Sequence, residues 1–122
     1  MKVEKIKVEK VTVSKNGQEI NYLLVSGQSE YFSPGAMSNT LLSRPEIDFI
    51  AYIVDGHVIC FKSIEEVREG KSDLIRYNVR ELATKLGGGG FKPTDGTVVK
   101  NKDHGVTAEY AKSLIEEALW FS

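Results

Sequence analysis

Four consecutive glycines, Gly87 to Gly90, followed by Phe91, Lys92 and Pro93, form the stretch of this 122-residue chain whose composition could do chemistry. Residues without a Cβ can turn successive backbone N–H groups toward one point, and such a nest holds a phosphate without a formal charge of its own. Lys92 would add a cation beside it. The run also has a structural alternative, a turn that lets a helix end close against a sheet, and the glycines alone do not choose between the two. Other starting points carry less. Cys60 is the only cysteine and lies in an apolar stretch, where an inert thiol is expected; it offers neither a disulfide nor a metal-ligand pair. Gly70-Lys71-Ser72 matches the end of a P-loop, but Glu65 stands where that motif needs its first glycine. His57 and His104 are the two histidines of the chain, expected on a strand and in a turn, too few for a two-metal phosphoesterase centre. No Ser-His-Asp set or carboxylate pair stands out.

The glycine run needs a helix before it and a strand after it. Asn78, with Glu81 three residues on, resembles a capping box, and Val79, Leu82, Ala83 and Leu86 make one apolar face, so a helix is expected over Val79 to Leu86 with Gly87 as its left-handed cap. Gly96 to Lys100 reads as the strand that follows, and Asn101 to Gly105 as a turn. Thr107 can cap a last helix in which Ala108, Ala111, Leu114, Ile115, Ala118 and Leu119 share a face. Trp120 and Phe121 at its end are either core anchors or an aromatic docking cluster.

Upstream, Ile6/Val8 and Val11/Val13 alternate in two sets offset by one step, which predicts one strand bulged or broken near Glu9, or two strands. Asn16-Gly17 supplies a hairpin turn, and Ile20 to Ser26 the return strand. Ser33-Pro34 starts a short helix to about Ser43. Glu46 to Val54 holds a nearly continuous apolar run, the mark of a central strand covered on both faces. Asp55-Gly56 is a second hairpin turn, His57 to Lys62 its return strand, and Ser63 to Asp73 a polar loop. The expected fold is a single α/β domain: a mixed sheet of about five or six strands with about three helices packed on it.

Composition narrows the function classes. The residues are 41% hydrophobic and 27% charged, ordinary for one compact domain, and sixteen Lys plus Arg against seventeen Asp plus Glu leave a net charge of −1. No global basic field exists to draw the chain onto nucleic acid or an anionic membrane. Residues 1–15 alone carry five lysines against two glutamates, the pattern of a solvated edge strand guarded against pairing. No apolar run suits a signal peptide or membrane span, so a cytoplasmic protein is expected.

The segment Asn78 to Leu86 leading into Gly87-Gly88-Gly89-Gly90-Phe91, with Gly96 five residues beyond Phe91, resembles the signature of the DHHA1 domain of the DHH phosphoesterase superfamily. There a helix runs into GGGH and then AAG. Ser38 to Leu42 is similar to the family's helix before its central strand, Ile47 to Val54 to that strand, and Cys60 to Ser63 to the end of the return strand with its S-x-R-S type motif; the likeness covers roughly Ser33 to Lys100. The resemblance implies a domain that grips nucleotide phosphates and bases, with Lys62 and Ser63 at the phosphate-contacting positions, Gly88, Gly89 and Gly90 as the backbone cradle, and Phe91 and Lys92 beside it. It also has departures. Lys62 replaces an arginine and loses its fork, Phe91 replaces the histidine while keeping an aromatic face for a base, and Thr94 and Asp95 replace two alanines. The metal-binding DHH catalytic domain, with its several Asp and His ligands, is not expected within these residues. Stand-alone domains of this kind, archaeal relatives of the RecJ DNA-binding domain among them, imply a non-catalytic accessory subunit of a DNA replication or repair complex, with the GINS complex and the replicative helicase as partners and weak contact with single-stranded DNA. The alternatives are a plain nucleic-acid or nucleotide-binding module, or a substrate-binding partner of a separate DHH phosphoesterase chain. No catalytic residue, metal or cofactor is expected.

Overall fold

The computed structural model describes residues 6–68, 71–100 and 105–120. Its elements follow in the order β1 (Ile6–Lys15), β2 (Gln18–Gly27), a 3-10 turn (Ser29–Tyr31), α1 (Pro34–Ser43), β3 (Phe49–Val54), β4 (Val58–Lys62), β5 (Glu65–Arg68), β6 (Lys71–Ile75), α2 (Val79–Lys85), β7 (Asp95–Val99) and α3 (Ala108–Trp120). Five strands make one mixed sheet in the order β1-β2-β3-β4-β7, and β5 and β6 form a separate two-stranded ribbon. The expected α/β domain is therefore what forms.

Local chemistry explains most boundaries. Asn16 and Gly17 both take positive φ, 50° and 79°, and close the β1–β2 hairpin; Asp55 and Gly56 do the same for β3–β4, at 51° and 71°. The Ser33 hydroxyl accepts the Ala36 N–H at 3.2 Å and Pro34 opens α1, which carries the chain over to lay β3 parallel to β2. Other neighbouring strands in the sheet run antiparallel. β3 sits in the middle, with every residue but Val54 buried, as its apolar run foretells.

Alternate residues of the strands feed two cores. Tyr22, Leu24, Phe49, Ala51, Ile53, Ile59, Phe61 and Val98 pack beneath α2 and α3 through Val79, Leu82, Ala83, Ala111, Ile115 and Leu119. Leu23, Val25, Ile50 and Tyr52 pack on the other face with Met37 and Leu41 of α1. Across the parallel β2–β3 pair, the Tyr22 and Phe49 rings stack with centroids 5.0 Å apart and planes 4° from parallel, a contact worth about 1 kcal/mol beyond the area it buries. α3 is tied to the sheet edge by Lys112 to Glu9 (3.1 Å) and by the Lys15 ammonium donating to the Leu119 carbonyl at 2.8 Å, a cation on a helix C-terminus.

Two expectations are corrected. β1 is neither bulged nor broken near Glu9: ten consecutive residues pair with β2. The offset in its apolar pattern is a change of face. Val13 is buried and Val11 half-buried in the core under α3, whereas Ile6 and Val8 point to the opposite face and stay exposed. The stretch Ser63 to Asp73 is no loop, because most of it builds the β5–β6 ribbon; backbone pairing holds the ribbon together without the period-2 apolar pattern that announces a strand. Trp120 is 50% exposed, and Leu119 takes the core position. Phe121 and His104 lie outside the described residues, as does most of the turn expected over Asn101 to Gly105, of which Gly105 has a φ of 59°. Among the described residues no helix is long and apolar enough to cross a membrane.

Candidate functional site

α2 ends where the glycine run begins, and its ends are built as the sequence indicates. Asn78 Oδ1 accepts the Glu81 N–H at 3.0 Å at the start, and at the finish Gly87 turns the chain at a φ of 91°. The next peptide groups are then consumed internally. The Gly87 N–H donates to Thr84 O (3.1 Å), the Gly88 N–H to Ala83 O (2.8 Å), and Gly89 exchanges two bonds with Thr97 of β7, at 3.1 and 2.8 Å. A Cβ at Gly88 would run into the Thr97 carbonyl, and one at Gly90 into the Asp95 carbonyl. Close approach of two backbones is what these glycines permit, the structural alternative left open by composition. Gly89 and Gly90 remain on the outer side of the turn, with Phe91 fully exposed and Lys92 exposed beyond them.

The hairpin register between β4 and β7 brings Lys62 opposite Asp95. Their side chains form an ion pair at 2.9 Å, with Lys62 only 20% exposed, so the cation that a phosphate would seek already has a carboxylate partner. Arg80 reaches the same end of the domain, its guanidinium 3.5 Å from the Phe91 carbonyl oxygen, and the Asp95 N–H donates to Lys92 O at 3.0 Å. Lys62, Arg80, Phe91, Lys92 and Asp95 thus gather around one turn.

Ser63 does not join them at the surface. It is fully buried; its hydroxyl donates to Asp48 O at 2.9 Å and accepts the Tyr77 N–H at 3.2 Å, and its own N–H donates to Thr94 O at 2.9 Å. One serine therefore ties together the entry to β3, the end of β4, the entry to α2 and the approach to β7. Tyr77, beside it, packs on Phe49 with ring centroids 5.0 Å apart, and burial, helped by the negative charges of Asp48 and Glu81, pushes its phenol up to about 12.

Sequence reasoning missed Arg76. Its guanidinium donates to the carbonyls of Leu41 (2.9 Å) and Ile47 (2.8 Å), with Arg44 O at 3.4 Å, and so places a fixed charge on the C-terminal end of α1. A lone arginine after a polar stretch gives no signal of this in one sequence. Cys60 is half-buried on β4, and burial pushes its thiol up, away from the thiolate a nucleophile needs. His57 sits in the β3–β4 turn with Nδ1 3.0 Å from Asp55 O. Lys71 and Ser72 lie in strand β6 rather than at the head of a helix, so they form no P-loop end. Among the described residues no group of three His, Cys, Asp or Glu side chains is placed to hold a metal. A groove of about 430 Å³ between α2 and α3, lined by Lys85, Leu86, Lys100, Leu114, Glu117 and Ala118, includes none of the glycine-turn residues.

The architecture is thus a small α/β domain whose glycine-rich helix-to-strand turn is locked onto its edge strand. No protein-family profile matches the chain, and neither does any curated protein. Among solved structures it is similar to an uncharacterized protein from Helicobacter pylori G27, with a TM-score of 0.54 and 20% identity over 88% of this chain and 27% of that one. At that identity the likeness speaks to the fold alone. The chain spans about a quarter of the length of the protein it resembles.

Proposed function

We propose that this chain is a non-catalytic DHHA1-type domain that serves as an accessory subunit of a cytoplasmic DNA replication or repair complex, in contact with GINS and the replicative helicase. One observation supports the accessory role over a nucleotide grip. The positions that resemble the family's phosphate contacts are spent inside the fold, Ser63 in three buried hydrogen bonds and Lys62 in its pair with Asp95. A phosphate would have to displace Asp95 from Lys62 before it gained that charge. An accessory role asks only for a surface that other proteins can hold.

A second reading has its own observation. Phe91 stands fully exposed on the glycine turn with Lys92 and Arg80 near it, an aromatic face and two cations of the kind that hold single-stranded nucleic acid by stacking and charge. Tagged purification from the native cell at low and moderate salt, with mass spectrometry of what stays bound, tests both. Recovery of GINS or helicase subunits supports the accessory role, and recovery of a DHH phosphoesterase chain replaces it with a substrate-binding partnership. If no protein is recovered, and the chain binds short single-stranded DNA in a manner lost on Phe91→Ala, the nucleic-acid module is the better reading.

A further inference from the structure

β1 closes one side of the sheet, and its outer side is an unpaired backbone edge. The direction of its peptide groups can be read from β2. Asn21 O accepts the Asp48 N–H at 2.8 Å and Gly27 O the Asp55 N–H at 3.0 Å, so odd-numbered residues of β2 bond toward β3 and even-numbered ones toward β1. Ile20, Tyr22, Leu24 and Ser26 are registered with Val13, Val11, Glu9 and Lys7. The backbone N–H and C=O groups of Ile6, Val8, Lys10, Thr12 and Ser14 therefore point out of the sheet, and among the described residues none has a backbone partner there.

We propose that this edge pairs antiparallel with β1 of a second copy, about a two-fold axis at Thr12, joining the two sheets into one. Lysines along an edge ordinarily oppose pairing; here they select its register. A two-fold pair keeps each residue opposite one on the same face, which leaves few centres. Centring on Glu9 sets Glu9 against Glu9, centring on Lys10 sets Lys10 against Lys10, and centring on Val11 sets Lys7 against Lys15 twice. Centring on Val13 overlaps only Val11 to Lys15, and centring on Val8 also brings opposite charges together, Lys7 against Glu9 twice, a register that Lys15→Glu and a cysteine at Thr12 tell apart from the one proposed. Centring on Thr12 sets Thr12 against Thr12, Val11 against Val13 twice, Lys10 against Ser14 twice and Glu9 against Lys15 twice, so that opposite charges meet directly, while Val13, already buried beneath α3, gains little from facing Val11. Glu9 and Lys15 already have partners on the α3 face, Glu9 in Lys112 and Lys15 in the Leu119 carbonyl, so the contact adds a second partner to each rather than meeting a free charge. The same operation lays the two α3 helices antiparallel above the joined edge. Charge complementarity in a self-paired register is what singles out a second copy as the occupant.

Sedimentation equilibrium of the chain across about 10 to 500 µM tests this, a range that spans the affinity of a modest interface. A dimer is expected. Lys10→Pro, which deletes an outward N–H and spares the β1–β2 bonds, should give a monomer with unchanged far-ultraviolet circular dichroism. Glu9→Lys should weaken the dimer on the order of tenfold by turning two attractions into repulsions, and adding Lys15→Glu to it should recover most of the loss. Thr12→Cys should cross-link copies through a short bifunctional thiol reagent, since directly paired residues lie about 5.5 Å apart, whereas Ser14→Cys, offset by four residues, should not. If Lys10→Pro unfolds the chain, the charge variants carry the test. A wild-type chain that stays monomeric over the whole range overturns the proposal and leaves the edge to a strand of another protein. A dimer indifferent to Glu9→Lys overturns it as well, because another surface must then hold the copies together.

Discussion

Replacing Ser63 with alanine removes one oxygen, and the consequence separates an internal strut from a surface ligand. In the folded domain that oxygen is fully buried and makes two hydrogen bonds, to Asp48 O and from the Tyr77 N–H. Alanine takes both away and admits no water in exchange. Loss of a partner by a buried polar group costs about 1 to 3 kcal/mol, so two such losses, softened by local relaxation, predict a destabilisation of about 2 to 4 kcal/mol. For a domain of this size that corresponds to a fall in Tm on the order of 10 °C. Chemical denaturation followed by circular dichroism measures the first quantity and thermal melting the second; the m-value should stay constant, because the unfolded surface barely changes. A surface phosphate ligand behaves otherwise: its loss leaves stability within about 0.5 kcal/mol. A Ser63→Ala protein that melts with the wild type would therefore refute the assignment of this hydroxyl to the core.

Gly88→Ala and Gly89→Ala should differ sharply, since the first drives a Cβ into the Thr97 carbonyl and the second meets nothing within 4 Å; the unfolding free energy from chemical denaturation should fall by about 2 kcal/mol or more for Gly88 and by less than about 1 kcal/mol for Gly89. Asp95→Asn should change stability by less than about 1 kcal/mol, because the Asp95 carboxylate is 45% exposed to water, but it frees Lys62; if the nucleic-acid reading is right, fluorescence titration with single-stranded DNA should show tighter binding and a salt slope steeper by about 0.7, and an unchanged slope would tell against Lys62 as a phosphate contact. The phenols of Tyr77 and Tyr22 are both raised in the fold, each chiefly by burial. A group whose folded pKa lies above its unfolded value contributes stability fully below that unfolded value and loses it as pH rises, so denaturation midpoints should begin to fall near pH 9, where the unfolded Cys60 thiol ionises, and fall further above about 10, through about 12 for Tyr77. Tyr77→Phe should flatten part of that fall; a midpoint insensitive to pH above 10 in the wild type would refute the burial of both phenols.

The features legible in the sequence are those whose physics is local. Asn16-Gly17 and Asp55-Gly56 turn as expected because few residues accept positive φ. Ser33 and Asn78 cap helices because a short polar side chain reaches the N–H groups exposed in the first turn. The core run of β3 and the apolar stripe of α3 are visible because burial on two faces or one imposes its own period. What misled was a pattern with more than one geometric cause: the one-step offset in β1 resembles a bulge, yet the strand pairs without interruption, and its apolar residues change from the α3 face, where Val11 and Val13 are covered, to the other face, where Ile6 and Val8 stay exposed. The β5–β6 ribbon hid for the converse reason, since no apolar face marks it.

At the candidate site the division is sharper. Sequence alone determined that a helix ends in glycines before a strand, because caps and chain breaks depend on neighbours a few residues away. Only the tertiary structure decided what those residues do. Lys62 and Asp95 are 33 positions apart and meet through strand register; Ser63 faces inward because Asp48, Tyr77 and Thr94 converge on it from three other segments; Arg76 finds the end of α1 from more than thirty residues away. Whether a cation is free or a hydroxyl exposed depends on which distant groups the fold places beside it, and in a single sequence those pairings leave no periodic trace.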